Sequence, residues 1–498
     1  MGGIGLLHQR GTIETLPDDV LFKIFKFFID EIYRCYTTGT TSEKWYVLVH
    51  ICRRWRNLVF TSPRHLNLQI FVTLPQRSGK RLLDLWQDLP LYIYSSGDID
   101  FSTNEDLDNV VATFRLNHRV SAIHLAYPSD SAWETIGPLM NHPFPALTDC
   151  CIQWPEEDED WDEEKDAISF SFLGGSAPYL RNLHLDCVPF PAIPNLLLSS
   201  TNLICLRYDD IPQSGYISPQ EIVTGLSALT RLESLSLTFQ TAQSPPDSAI
   251  RIPPPHARTL LPALTDLRFR GGREYMEYLV AQIHNRSLQS MEITFSFFFQ
   301  EVLEVSELAK FVCTADKLSL VDEGEVEFGS DYISIKLSQD LSDVIPQSLI
   351  LNLGSFKPGL PISYLAHFCA SCFPTPSPFK CLHISIMWPD IIDDLCQWPD
   401  ILQTFNTVKT LRLTSFAVPR VTQALRRLPL DWAMEVLPAL EVVLLSSGPQ
   451  SCASAKEAVT EFADARQAFG HPHVSIYRWE KEGIQEIIPL KKKRNGSR

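Results

Sequence analysis

A triplet of apolar residues, spaced apolar–x–x–apolar–x–apolar, recurs through most of the chain and constrains its fold more than any other feature. The copies are Val120/Ile123/Leu125, Leu147/Cys150/Ile152, Leu180/Leu183/Leu185, Leu203/Leu206/Tyr208, Leu232/Leu235/Leu237, Leu264/Leu267/Phe269 and Leu288/Met291/Ile293. They continue with Ala315/Leu318/Leu320, Pro346/Leu349/Leu351, Phe379/Leu382/Ile384, Val408/Leu411/Leu413 and Leu440/Val443/Leu445, and His471/Val474/Ile476 is a degenerate last one. Within each copy the apolar positions alternate with outward ones, the period of a strand with one buried face. Successive copies start 23 to 33 residues apart, within or slightly beyond the range of strand-plus-helix repeats. Helix signals fill many of the gaps. Ser218-Pro219-Gln220-Glu221 is a capping box with proline at the first helical position. Residues 275–283, 305–312, 391–402 and 453–469 also read as helices, the last ended by Gly470. One unit of this size buries too little apolar surface to offset the entropy of ordering it, whereas stacked neighbours share a core and hydrogen-bonded strands. The expected fold class is α/β, with parallel strands stacked beside helices.

These triplets, over residues 119–480, resemble irregular leucine-rich repeats. The resemblance implies a horseshoe-shaped solenoid with its parallel strands on the concave face. Residues between and after the apolar positions then share that face: His184, Asp186, Arg207, Asp209, Ser236, Thr238, Arg268, Arg270, Glu292, Thr294, Arg412 and Thr414. Repeat arrays bind through such faces. His184, Arg207, Arg268, Arg270 and Arg412 are the candidates for holding a target, since a guanidinium fork pairs bidentately with carboxylates and phosphates.

The segment before the repeats is different. Pro17 suits a first helical turn, and Asp18 and Asp19 complement its positive end. Val20, Leu21, Ile24, Phe25 and Phe28 follow at helical spacing as one apolar stripe. Ser42 is placed to cap a second helix carrying Trp45, Leu48, Val49 and Cys52, and Trp55, Leu58 and Val59 extend the stripe towards Ser62-Pro63. Residues 12–63 thus form a small helical module that needs a neighbour to be stable. The run Leu16-Pro17, Val20-Leu21 and Ile24-Phe25, with Val49, Cys52 and Trp55-Arg56, resembles the F-box, by which substrate receptors of SCF-type ubiquitin ligases dock on the adaptor Skp1. An extra stretch between the first helix and Trp45, residues 33–43, looks like the longer F-boxes of large mushroom-type fungal families. The resemblance implies Skp1 contact by, or supported by, Leu16, Pro17, Ile24, Val49, Cys52 and Trp55. Residues 64–118 then connect the F-box to the repeats through short strands at 66–70 and 89–94 and a helix at 81–87. Residues 481–498 form a basic tail containing Lys491-Lys492-Lys493-Arg494, a weak match to an import signal.

Net charge and motifs narrow the function. A charge of −16 argues against nucleic acid as the main partner, because phosphate binding needs a clustered positive surface. Neither an apolar run of membrane-spanning length nor a signal-peptide pattern is present, so no membrane partner is expected and the location is cytoplasmic or nuclear. The twelve cysteines are scattered, as in a reducing compartment. Two segments read as loops: the acidic run at 156–166 and the proline-rich stretch at 241–255. Catalytic motifs, metal spacing and phosphate loops are lacking, so no catalytic residue, metal or cofactor is expected. Cys369 and Cys372 form a CxxC without a second ligand pair, on a segment that reads as a helix packing its thiols inward. Cys150-Cys151 reads as one buried and one exposed thiol. The expected function is that of a receptor subunit without an active site of its own. Its partners would be a Skp1-like adaptor, through it a cullin-RING ligase, and a protein target. The rivals are an interaction scaffold or sensor that assembles no ligase, and an enzyme with a zinc site at Cys369/Cys372.

Overall fold

The computed structural model describes residues 16–34, 46–62, 65–66, 68, 70–72, 89–95, 104–155, 167–240, 258–296, 305–315, 318, 322–329, 332–338, 348–354, 379–387, 398–429, 432, 435–446, 452–480 and 483–485. The helix expected at 81–87, the acidic run, the proline-rich stretch, Cys369/Cys372, the basic cluster at 491–494 and residues 35–45 lie outside them. The chain divides into two compact units, Met1–Trp161 with Ile168–Leu185, and Asp162–Ala167 with Asp186–Arg498.

The first unit opens with three helices, Asp18–Arg34, Tyr46–Ile51 and Arg53–Thr61. Their interior holds Leu21, Phe25, Ile29, Leu48, Val49, Trp55 and Val59, with Phe25 and Trp55 edge to face at 4.7 Å. The inward stripe of the first helix is therefore Leu21–Phe25–Ile29, repeating every four residues. Ile24 and Phe28, expected on the same stripe, face outward instead. At 100° per residue Ile24 sits about 100° and Phe28 about 60° from Phe25, the centre of the buried stripe, both on the same side of it. Strands follow: β1 (Ile70–Phe71), β2 (Leu91–Ser95), β3 (Val120–Ala126), β4 (Asp149–Gln153) and β5 (Asn182–Asp186). β1 to β4 are parallel, and Ile93, Ile123 and Cys150 lie side by side on the buried face.

The second unit carries β6 (Cys205–Ile211), β7 (Ser234–Phe239), β8 (Thr259–Leu260), β9 (Asp266–Gly271), β10 (Ile283–His284) and β11 (Ser290–Phe295). Then come β12 (Glu323–Phe328), β13 (Tyr332–Ser338), β14 (Ser348–Gly354), β15 (Cys381–Ile386), β16 (Thr410–Leu413), β17 (Val442–Ser446), β18 (Ser475–Glu480) and β19 (Gly483–Gln485). β6, β7, β9 and β11 are parallel and in register, so Tyr208, Leu237, Phe269 and Ile293 form one buried row. Each such side chain contributes about 1.5–3 kcal/mol of burial. The leading residue of a triplet is buried as well, in the turn before its strand: Leu203, Leu232, Leu264, Leu288, Val408 and Leu440 are all fully enclosed. β8 and β10 make a separate short parallel pair.

Helices cover the buried face. Tyr275 of Arg273–Gln282 meets Phe239 at 4.8 Å and Phe269 at 5.8 Å, and Trp398 of Trp398–Thr404 meets Phe328 at 5.4 Å. The capping box at Ser218 forms as expected, with Ser218 and Glu221 each satisfying the other's backbone N–H. Gly470, at φ +88°, ends the helix Cys452–Gln467 in the left-handed region that glycine adopts without cost.

One expected repeat is replaced by something else. Ala315 and Leu318 of the expected triplet are buried just beyond the helix Ser306–Thr314 and are not in a strand, Leu320 lies outside the described residues, and β12 begins at Glu323. β13 then runs antiparallel to both β12 and β14, and β11 pairs directly with β14. The local order is β11–β14–β13–β12–β15, an antiparallel strand let into a parallel array. Gly324, Val326 and Phe328 face inward on β12, and Ile333, Ile335 and Leu337 on β13. That two-residue alternation makes both of them strands without a repeat triplet.

Candidate functional site

Two kinds of surface stand out: the outer side of the helical module and the polar side of the sheets. In the module, Arg54 fixes the start of the first helix. Its guanidinium donates to the Asp18 carboxylate and to the Leu16 carbonyl, the latter at 2.6 Å. Arg56 donates to the Val49 carbonyl at 2.8 Å. Cys52 caps the third helix, its sulfur accepting the Trp55 N–H at 3.4 Å. The sequence-derived adaptor residues therefore split by role. Pro17 and Ile24 are exposed, Leu16 and Cys52 are half-buried, and Val49 and Trp55 lie in the core that holds the others in place. Sequence reasoning passed over Phe27, which is 76% exposed, and Val47, Ile51 and Phe60, which are also exposed.

On the second unit's sheet the outward positions align in rows across the strands. One row runs Arg207, Ser236, Arg268, Glu292. A second runs Thr238, Arg270, Thr294, Asn352, Ser334, Glu327, Ser385. A third segment joins Lys336, Glu325, His383 and Arg412. Four of the five target-binding candidates, Arg207, Arg268, Arg270 and Arg412, lie on this face. His184 lies in the first unit.

The arginines are not a bare cationic patch. Arg268 pairs with Glu292 at 3.7 Å and Arg270 with Asp210 at 3.4 Å, each across strands, the arginines exposed and the carboxylates half-buried. Asp210 sits at a bulge in β6 with φ +46°, a conformation aspartate tolerates better than most residues. Its N–H donates to Thr238 Oγ1 at 2.6 Å, and Ser236 donates to Asp209 at 2.5 Å. The bulge thus places two carboxylates on one face where a regular strand would place one. Exposed pairs of this kind contribute little stability. They leave donors and acceptors of both signs on this face.

A more enclosed pair joins His383 Nδ1 to Glu325 at 3.0 Å. The hydrogen bond from His383 outweighs burial and holds the Glu325 carboxyl below the ordinary carboxylate range. A carboxyl lowered on folding stabilises the protein above its unfolded pKa and loses that contribution as pH falls through the folded value. His383→Ala is therefore expected to cost about 2 kcal/mol at neutral pH. The cost should shrink once Glu325 is protonated in both proteins, as read from urea unfolding at neutral and acid pH.

On the first unit, Tyr94, His124, Cys151 and His184 stand on four successive strands. Tyr94 and His124 are register partners, as are His124 and Cys151. Cys151 Sγ lies 3.5 Å from His184 Nδ1. Sequence reasoning found His184 and the exposure of Cys151 but did not join them. Among the described residues, no group of three or more His, Cys, Asp and Glu side chains is arranged to hold a metal ion, and no helix is long and apolar enough to cross a membrane.

No family model matches the chain, and no curated protein matches it in sequence. Among solved structures, the leucine-rich repeat-containing protein LegL7 from Legionella pneumophila aligns with 80% of this chain and 98% of its own, at 12% identity and a TM-score of 0.25. That score is too low to carry a fold assignment. The repeat architecture rests instead on the chain's own strands, whose buried triplets lie side by side on mostly parallel strands within each unit.

Proposed function

We propose that this chain is the substrate-recognition subunit of an SCF-type E3 ubiquitin ligase, its helical module acting as an F-box that docks on a Skp1-like adaptor. The supporting observation is the set of apolar side chains that the module leaves exposed. Leu21, Phe25, Ile29, Val49, Trp55 and Val59 already fill its core, yet Ile24, Phe27, Phe28, Val47, Ile51 and Phe60 remain exposed. Exposed apolar residues in such numbers mark interaction sites, and the sequence around them resembles the F-box. The polar sheet face, with its cross-strand arginine–carboxylate pairs, would hold the target protein. The chain's contribution is then proximity and orientation of a target lysine relative to an E2 bound elsewhere in the ligase, with no covalent step of its own.

The test is co-purification of the full chain with a Skp1-like adaptor and a cullin, followed by titration calorimetry. Ile24→Asp with Phe27→Asp should weaken adaptor binding by about 100-fold or more, the scale of an interface hot spot. Both positions are exposed, so unfolding midpoints should hardly move. Arg268→Glu should leave adaptor binding unchanged. If the wild-type chain does not bind the adaptor, the ligase reading fails; if it binds the adaptor but never recovers a cullin, the scaffold reading replaces it.

A further inference from the structure

We propose that Cys151 is a nucleophilic, peroxide-oxidisable thiolate site, built by the two imidazoles that flank it on the polar face of the first unit's sheet. The geometry carries this. β2, β3 and β4 are in parallel register, which places the residues at corresponding outward positions side by side. His124 stands beside Cys151 on one side, with its ring edge to face with Tyr94 at 4.7 Å. On the other side His184 Nδ1 is 3.5 Å from the sulfur. Both rings sit at the middle outward position of their triplets, between Ile123 and Leu125 and between Leu183 and Leu185. The four aliphatics are buried, which pins the strands that carry the rings. Cys151 itself is half-buried, with the imidazoles close enough to hold its charge.

The neighbouring charges do not oppose this. Asp149, two residues back on the same strand, is taken up by Thr148 Oγ1 at 2.6 Å and Asn182 Nδ2 at 2.5 Å. Asp186, two residues beyond His184, accepts from the Cys187 thiol at 3.7 Å. Tyr94, on the far side of His124, is held above the ordinary phenol value, chiefly by burial, and stays neutral. Burial alone would raise the Cys151 thiol, but hydrogen bonds from His124 and His184 outweigh it and bring the thiol down to about 7. In the same way burial would lower His124, and its contact with the sulfur raises it instead. Cys150, on the opposite face of the same strand, is fully buried and pushed well above the ordinary thiol value. Cys313 is exposed and also raised by burial of its sulfur. The chain therefore contains its own controls.

The chemistry follows from a thiolate beside imidazolium. The sulfur attacks one oxygen of hydrogen peroxide, forming an S–O bond as the O–O bond breaks. The departing hydroxide takes a proton from the neighbouring imidazolium and leaves as water. Sulfur is oxidised to sulfenic acid by two electrons and the peroxide is reduced. Sulfenic acid is reversible by thiols, so the polar face would change chemistry with the redox state around it. The buried Cys150 thiol on the other side of the sheet is not positioned to form a disulfide with it.

The experiment uses the full chain. Iodoacetamide labelling from pH 5 to 10, read by mass spectrometry of the Cys151 and Cys313 peptides, should show half-maximal Cys151 reactivity at about pH 7, with Cys313 reacting only at higher pH. His124→Asn with His184→Asn should move the Cys151 midpoint up by about one unit or more, towards the ordinary thiol value. Treatment with hydrogen peroxide and then a dimedone probe should tag Cys151 before Cys313. A wild-type Cys151 midpoint at the ordinary thiol value would overturn the proposal whatever the variants do. So would a correctly folded double variant with an unmoved midpoint, or peroxide doses that tag other cysteines first. Adaptor binding is not involved, so this result stands apart from the ligase reading.

Discussion

Replacing Asn285 by alanine is expected to lower the unfolding free energy of the second unit by about 3–5 kcal/mol. The side chain is only 2% exposed. Its amide donates to the Leu261 carbonyl at 2.7 Å and to the Leu264 carbonyl at 2.8 Å, and its oxygen accepts the Leu288 N–H at 2.8 Å. Leu261, Leu264 and Leu288 are themselves fully buried, so the three backbone groups have no water to turn to. One asparagine thus ties the turn before β9 to the turn before β11, two neighbouring repeats. Alanine leaves the Leu264 carbonyl and the Leu288 N–H unpaired, each at a cost of about 1–3 kcal/mol, while the Leu261 carbonyl keeps only the Leu264 N–H at 3.3 Å. Asn285→Asp should be at least as harmful, because it sets a carboxylate oxygen against two carbonyls. Urea unfolding followed by circular dichroism measures both. A loss below about 1 kcal/mol for the alanine variant would mean the turns find other partners.

That bond set also marks the limit of what the sequence makes legible. Apolar triplets at a repeat period identify strands, because a strand with one wet face needs alternation and a stack needs a fixed period. Leu232/Leu235/Leu237 and its neighbours fold accordingly. The β12–β13 hairpin escapes the pattern because Glu323 stands three positions ahead of Val326, and Tyr332, three ahead of Ile335, is exposed rather than buried. Plain alternation in Tyr332–Ser338 was the available signal. The helical module shows the same kind of limit. A period of 3.6 identifies a helix, but a helix with apolar residues on two faces does not say which face is inside. Leu21–Phe25–Ile29 packs inward, where Phe25 meets Trp55. The cysteine cluster was latent in the period itself. Once triplets are stacked, the residue between the last two apolar positions of one copy must neighbour its counterpart in the next. Reading that column down the chain gives His124, Cys151 and His184. What no column reveals is the strand bulge at Asp210, since it depends on a backbone angle and not on residue type.

The other large effect is expected where Tyr208 meets Gly215. Tyr208 fills the third position of its triplet and is fully buried, so its ring behaves as the aliphatics do elsewhere. Its hydroxyl does more. It accepts the Phe190 N–H at 2.9 Å and donates to the Gly215 carbonyl at 3.3 Å, joining two loops of the second unit. Burial pushes the phenol well up, so it remains a donor at any working pH. Tyr208→Phe keeps the ring and orphans two buried backbone groups, at about 2 kcal/mol. Gly215→Ala acts on the same contact from the other side. An added Cβ would stand 2.7 Å from the Tyr208 hydroxyl and 2.9 Å from Pro189 Cα. The second neighbour is backbone and cannot swing away, so the loops must separate, at about 3 kcal/mol or more. The two substitutions should not add. Removing the hydroxyl relieves the shorter clash and leaves the Pro189 one, and separated loops have already lost the bonds that the hydroxyl made. The double variant should fall short of the sum by about 1 kcal/mol. Strict additivity in a urea-denaturation cycle would show that the hydroxyl and the glycine act on different parts of the fold, and the loop-joining role would be lost.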